Sequence, residues 1–225
     1  MTNVGMVLPD PGFWPQAQAL MRRHSTLLVL DETHTLSTGP GGYAQALGLT
    51  PDALVLGKPL GGGVPCAAYG MSAELAQRAV DAKTSAPPGH SGIGTTLSGG
   101  MLAMAAMRAT LTQVMTPQAF AHILAQADVL ARGLRGLLAR HGQAWCVTQV
   151  GARVEFQFCA APPRNGTQAQ AAMDSELEHL LHLALLNRGV LITPFHNMLL
   201  VCPDTTPTDV ARLLAALDDV LGHIT

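Results

Sequence analysis

Two side chains of this 225-residue sequence, Lys58 and Asp31, combine a reactive type with a placement that suits chemistry. Lys58 is one of only two lysines and closes the run Asp52-Ala53-Leu54-Val55-Leu56-Gly57-Lys58, with Pro59-Leu60 and Gly61-Gly62-Gly63 behind it. An amine stripped of water at the end of an apolar run is suited to form a Schiff base. The same residue also reads as a loop lysine that lays its stem along apolar surface and keeps its ammonium in water. Asp31, 27 residues upstream at the end of Leu27-Leu28-Val29-Leu30, favours the first reading.

Elements of an α/β fold place both residues. Residues 12–24 read as a helix entered through Pro11-Gly12, and Leu27-Leu28-Val29-Leu30 fits a fully buried strand. Gly39-Pro40-Gly41-Gly42 marks a loop, followed by a short helix and a second buried strand at 53–56. Buried strands separated by helices predict a parallel sheet, whose ligands gather at the carboxyl ends of its strands. Asp31 and Lys58 would then face one ligand. A small-residue helix spans 97–114 and runs into Thr116-Pro117, where we expect a domain boundary. Beyond it come a long helix over 117–141, strands at 145–150 and 153–159, a loop at 161–166 and a helix over 174–188 ended by Gly189. Short strands at 191–193 and 198–202 precede a last helix capped by Thr206-Pro207-Thr208-Asp209. The expected domains are thus 1–115 and a smaller α+β unit, 116–225.

A Schiff-base lysine, an acid at a strand end and a glycine-rich surround are the parts that pyridoxal phosphate requires. The acid keeps the pyridine nitrogen protonated, and the freed lysine shuttles a proton between substrate and cofactor carbons. In order along the chain stand Leu27-Leu28-Val29-Leu30-Asp31-Glu32-Thr33, Gly41-Gly42, Gly48-Leu49-Thr50-Pro51-Asp52, Gly57-Lys58-Pro59-Leu60-Gly61-Gly62-Gly63 and Thr96-Leu97-Ser98-Gly99-Gly100. Together they resemble the class III, pyridoxal-phosphate-dependent aminotransferases of fold-type I. The runs 1–7 and 94–111 look most like the branch that contains glutamate-1-semialdehyde 2,1-aminomutase.

The resemblance implies that Lys58 carries the cofactor, that Asp31 pairs with the pyridine nitrogen and that Thr96, rather than the adjacent Thr95, contacts the phosphate across a homodimer interface. It implies amino-group transfer between an amino acid or amine and a keto acid or aldehyde, with intramolecular transfer by an aminomutase as the alternative. The family commonly has valine, packed on the ring face, where Thr33 stands. Pro87-Pro88-Gly89-His90 reads as an insertion. The sequence is similar to the later half of a family member: the second half of the large cofactor-binding domain, then the small domain. It is therefore expected to be a C-terminal fragment, and a non-catalytic truncated chain is a further alternative.

Other candidates carry competing readings. Arg153, in Gly151-Ala152-Arg153-Val154-Glu155-Phe156, would bind a substrate carboxylate or pair with Glu155 or a neighbouring helix. His34 and His196 would each reach the site or make local hydrogen bonds. His179 and His182 have helical spacing for a metal but no third ligand, so no metal is expected. Gly57-Lys58 is not a P-loop, since Asp52 and Pro59 stand where glycine and Ser/Thr are required. Met101, Met104 and Met107 suit a core or a subunit interface. Cys66, Cys146, Cys159 and Cys202 form no C-x-x-C and suggest reduced thiols.

A net charge of −2 and 4% aromatic residues argue against nucleic acid as a partner. With 48% hydrophobic and 12% charged residues the chain is well suited to a packed core. The first residues show neither a basic nor an apolar signal region, and no apolar stretch reaches the ~18 residues of a membrane span. A cytoplasmic protein that does not enter a membrane is expected.

Overall fold

The computed structural model describes Thr2 and residues 5–90, 92–94, 96–194 and 196–224. Met1, Asn3 and Val4 of the run 1–7, and Thr95, lie outside the described residues. The chain divides into two compact units, Gly12–Thr116 and a second that joins Met1–Pro11 to Pro117–Thr225.

The first unit begins with α1 (Phe13–Arg23), β1 (Val29–Asp31), a 3-10 turn at Thr35–Thr38, α2 (Gly42–Ala46), β2 (Ala53–Leu56) and a 3-10 turn at Lys58–Gly61. It continues with β3 (Ala68–Met71), α3 (Ala73–Thr84), α4 (Met101–Ala109) and a π turn at Thr110–Val114. β1 and β2 are parallel, with Val29 opposite Ala53 and Asp31 opposite Val55. β3 joins β2 antiparallel, so the sheet is mixed rather than parallel. Nothing in Ala68-Tyr69-Gly70-Met71 announces that strand, because its small residues and glycine give neither an apolar run nor alternation. The fully buried strand expected at 27–30 is also corrected. Leu28 and Leu30 are buried while Leu27 and Val29 are exposed, the alternation of a strand covered on one face.

Glu32 ties this sheet to the next helix. Its carboxylate is buried and accepts the backbone N–H groups of Tyr43 and of Ala44, the latter at 2.7 Å, and the Thr35 hydroxyl at 3.3 Å. Those amides belong to the first turn of α2, which has no capping side chain at Gly41. Gly42 lies against the carboxylate with φ 66°, where an added Cβ would strike Glu32.

The second unit comprises α5 (Pro117–Arg140), the hairpin of β4 (Cys146–Val150) and β5 (Arg153–Gln157), α6 (Gly166–Ala171), α7 (Ser175–Leu186), β6 (Met198–Leu200) and α8 (Pro207–Ile224). Its sheet is antiparallel in the order β4-β5-β6. Leu130, Leu134, Leu137 and Leu138 recur at helical spacing along α5 and are buried, as are Val210, Leu217 and Leu221 of α8, which packs on it. The expected cap of α8 is a reciprocal one, with Thr206 accepting the Asp209 amide at 3.2 Å and Asp209 accepting the Thr206 amide at 2.8 Å. One element was not expected, and one expectation fails. Residues 161–165 are irregular as expected, and Asn165 then accepts the Gln168 amide at 2.9 Å and starts α6, which no sequence signal had announced. Residues 191–193 form no strand, and the Thr193 hydroxyl donates to the His196 carbonyl at 2.7 Å.

Thr2 and Met6 are buried, and the Met6 amide donates to the carboxylate of Glu155 on β5. Burial pushes the Glu155 carboxyl up to about 7; the Met6 amide pulls the other way, and the neighbouring Glu178 carboxylate adds to the rise. Glu178, on α7, is raised as well, chiefly by burial. Among the described residues, no helix is long and apolar enough to cross a membrane.

Two outcomes are expected. Glu32→Ala strands buried amides of α2 and lowers unfolding free energy by about 3 kcal/mol in urea denaturation. A carboxyl whose folded pKa is raised binds its proton more tightly when folded. Its contribution is therefore full below the ordinary value of 4.5 and fades as pH rises to about 7. Glu155→Gln should flatten that part of the stability profile, gaining on the wild type by on the order of 3 kcal/mol between pH 5 and pH 8.

Candidate active site

Parallel pairing brings the carboxyl ends of β1 and β2 to one edge of the sheet, and both chemical residues emerge there. Asp31 is the last residue of β1, opposite Val55, and the following Glu32 amide donates to the Val55 carbonyl at 2.8 Å. Lys58 stands three positions past Val55, after extended Gly57, and opens the 3-10 turn. Its backbone has φ 50°, a left-handed conformation that a residue with a side chain seldom adopts. Both side chains are exposed. The loss of water expected around Lys58 is therefore not supplied by these residues.

Asp31 is held ionised by its own strand end. The Thr33 hydroxyl, and after it the Thr33 amide at 2.9 Å, keep the Asp31 carboxyl below the usual carboxylate range. The charges of His34 and Lys58 act in the same direction, while burial opposes them. Asp31, Thr33, His34 and Lys58 thus form one electrostatic group. Thr33 also meets Gly57, where an added Cβ would lie 3.3 Å from the threonine methyl carbon. The hydrogen bond from Thr33 was not foreseen, although an Asp followed two residues later by a donor amide is a local signal.

The glycines after Lys58 are explained by packing. A Cβ on Gly61 would lie 2.7 Å from the Cys66 sulfur and one on Gly62 would lie 2.8 Å from the Thr110 hydroxyl, with Gly62 in the left-handed region at φ 56°. Thr110 is buried, donates to the Ala106 carbonyl at 2.9 Å and begins the π turn after α4. A π turn is an uncommon irregularity, and here it delivers a side chain onto the loop that carries Lys58.

Thr96 is exposed in the turn that leads into α4. Beside it Leu97 and Met101 are each 87% exposed, and Leu102 and Met104 are exposed too, so this stretch is not core within the chain. Arg153 belongs to the second unit, is 5% exposed within β5 and donates from Nη1 to the Met198 sulfur at 3.3 Å. Burial lowers its pKa. His196 is left-handed at φ 59°, and its amide donates to Glu178. His182 engages the Ile192 carbonyl at 2.8 Å. No group of three His, Cys, Asp or Glu side chains suited to a metal occurs among the described residues.

Residues 1–221 match the family Aminotransferase class-III. A glutamate-1-semialdehyde 2,1-aminomutase from Sorangium cellulosum is 34% identical over 222 residues, covering 98% of this chain and 49% of that protein. The crystal structure of a glutamate-1-semialdehyde-aminomutase from Pseudomonas aeruginosa PAO1 superimposes with a TM-score of 0.94 at 47% identity, over 100% of this chain and 51% of that one. A variant of that enzyme was solved in complex with PMP. A β-phenylalanine aminotransferase from Variovorax paradoxus follows the same fold at a TM-score of 0.85 and 30% identity, over 98% and 50% of the two chains. The chain spans about half the length of the curated relatives it matches. With residues 1–221 matched to the family and the fold shared with solved relatives, the chain belongs to the class III aminotransferases of fold-type I.

Proposed function

We propose that this chain contributes the lysine, the ring-nitrogen acid and the small domain of a pyridoxal-phosphate-dependent aminotransferase that moves an amino group between an amino acid or amine and a keto acid or aldehyde. Residues 1–115 are read as the later part of the large domain and 116–225 as the small domain, in a cytoplasmic homodimer. One observation carries the reading: an ionised Asp31 and the Lys58 amine emerge from neighbouring parallel strands at the same sheet edge, close enough for their charges to interact.

The residues fit the group. Asp31, kept anionic by Thr33, would hold a proton on the pyridine nitrogen, and Lys58 would join the cofactor through Nζ. When bound, pyridoxal phosphate supplies an electron-withdrawing ring that stabilises negative charge on the substrate carbon bearing the amine. Lys58 Nζ, once released, would move the proton on that carbon. Thr96 would meet the phosphate of a second copy, a reading supported by its exposure beside Leu97 and Met101. The substrate-carboxylate role of Arg153 rests on its chemistry alone, since its guanidinium is buried against Met198. An aminomutase is the second reading, favoured by the 34% and 47% identical relatives, both glutamate-1-semialdehyde aminomutases.

Purified chain mixed with pyridoxal phosphate should develop a visible absorption band that Lys58→Ala abolishes. A colourless mixture overturns the assignment for this chain and leaves a non-catalytic one. Turnover that requires an added keto acid supports the transaminase, and turnover of a single amino aldehyde without one supports the mutase.

Thr33→Val keeps the methyl group at Gly57 but removes the hydroxyl that acts most strongly on Asp31. The Asp31 carboxyl should then titrate at higher pH, as read by carboxyl carbon NMR with Asp31→Asn as the assignment control.

A further inference from the structure

Cys146 and Cys159 lie at the open end of the β4–β5 hairpin, away from its Gly151-Ala152 turn. Their sulfurs are 3.7 Å apart, and the Cys146 amide donates to the Cys159 carbonyl at 2.7 Å, so backbone and side chains converge. A disulfide needs its sulfurs at ~2.05 Å, which puts the pair a side-chain rotation from bonding. The two thiols are not equivalent. Cys146 is 8% exposed, whereas Cys159 is half-buried and borders a surface groove of ≈ 490 Å³ shared with Phe158, Pro162, Arg164 and Gln168. Small molecules can therefore approach one sulfur and not the other.

We propose that Cys159 and Cys146 are the attacking and resolving thiols of a reversible thiol–disulfide exchange site that takes low-molecular-weight disulfides. The Cys159 thiolate attacks one sulfur of the reagent, its S–S bond breaks, and one thiolate leaves and takes up the proton that Cys159 released. Cys146 then loses its proton to solvent and attacks the Cys159 sulfur. The mixed disulfide breaks, and the second thiolate leaves and is protonated. Two protein thiols are oxidised to one disulfide while the reagent is reduced to two thiols. Burial, and after it the adjoining Cys159 sulfur, pushes the Cys146 thiol up to about 12, which suits it to act second and only within the chain, where proximity compensates for weak ionisation. The site owes nothing to Lys58 or to the cofactor.

Glutathione disulfide added to the reduced wild-type chain tests this by tryptic mass mapping. Cleavage after Arg140, Arg153 and Arg164 puts the two cysteines on separate peptides. The expected product is the 141–153 peptide linked to the 154–164 peptide, lost on adding dithiothreitol. In Cys146→Ser a glutathionyl group should persist on Cys159, and in Cys159→Ser neither peptide should be modified. Exposed Cys202 serves as the internal control for reagent activity. A wild-type chain glutathionylated at Cys202 but without the linked peptides overturns the proposal. So does a Cys159→Ser chain whose Cys146 reacts as readily as Cys202.

Discussion

The parallel register of β1 on β2 is the constraint on which the candidate site depends. Asp31 opposite Val55 leaves both strands pointing the same way, so the loops after them share one edge. An antiparallel pairing would send Asp31 and Lys58 to opposite ends, however good their chemistry. Parallel pairing needs a long crossover, and the stretch from Thr35 to Asp52 supplies it with a 3-10 turn and the short helix α2. The crossover is held by Glu32, whose buried carboxylate gathers amides from α2.

Around that edge, local bonds set the properties of each group. Thr33 keeps Asp31 anionic from two residues away, so its charge does not depend on Lys58 being near. Lys58 itself is aimed by backbone, through an extended Gly57 and its own left-handed φ. The loop beyond is then fixed from below, where Thr110 of the π turn closes on Gly62. A residue in a strained conformation persists when its surroundings determine it, and here the neighbouring turn is packed on both sides of the strain.

Much of this was legible in order and spacing. The apolar runs, the glycine stops and the cap at Thr206 located β2, α5, α7 and α8 to within a residue or two, since each rests on local chemistry. The positions of Asp31 and Lys58, at or just past the ends of β1 and β2, were legible for the same reason. What escaped depended on distant partners. β3 exists because β2 offers an edge, and no pattern in Ala68-Tyr69-Gly70-Met71 declares it. The coverage of β1 on one face follows from which elements pack against the sheet, which composition does not encode. The pair Cys146 and Cys159 becomes visible only once a hairpin is drawn about Gly151, and Glu155 meets Glu178 only when α7 lies against β5.

Asp31 and Glu32 are chemically near twins in adjacent positions, yet strand alternation sends one to the open edge and the other into the interior. The pair acts as a proofreading device for the strand. A slip of one residue would bury the shorter carboxylate, which lacks the methylene needed to reach the amides of Tyr43 and Ala44, and would expose the longer one at the edge. The misregistered sheet would then hold a buried anion with no donors, the costliest kind of error a protein interior can make. The group that would carry the chemistry is therefore kept in its place by a neighbour that takes no part in it.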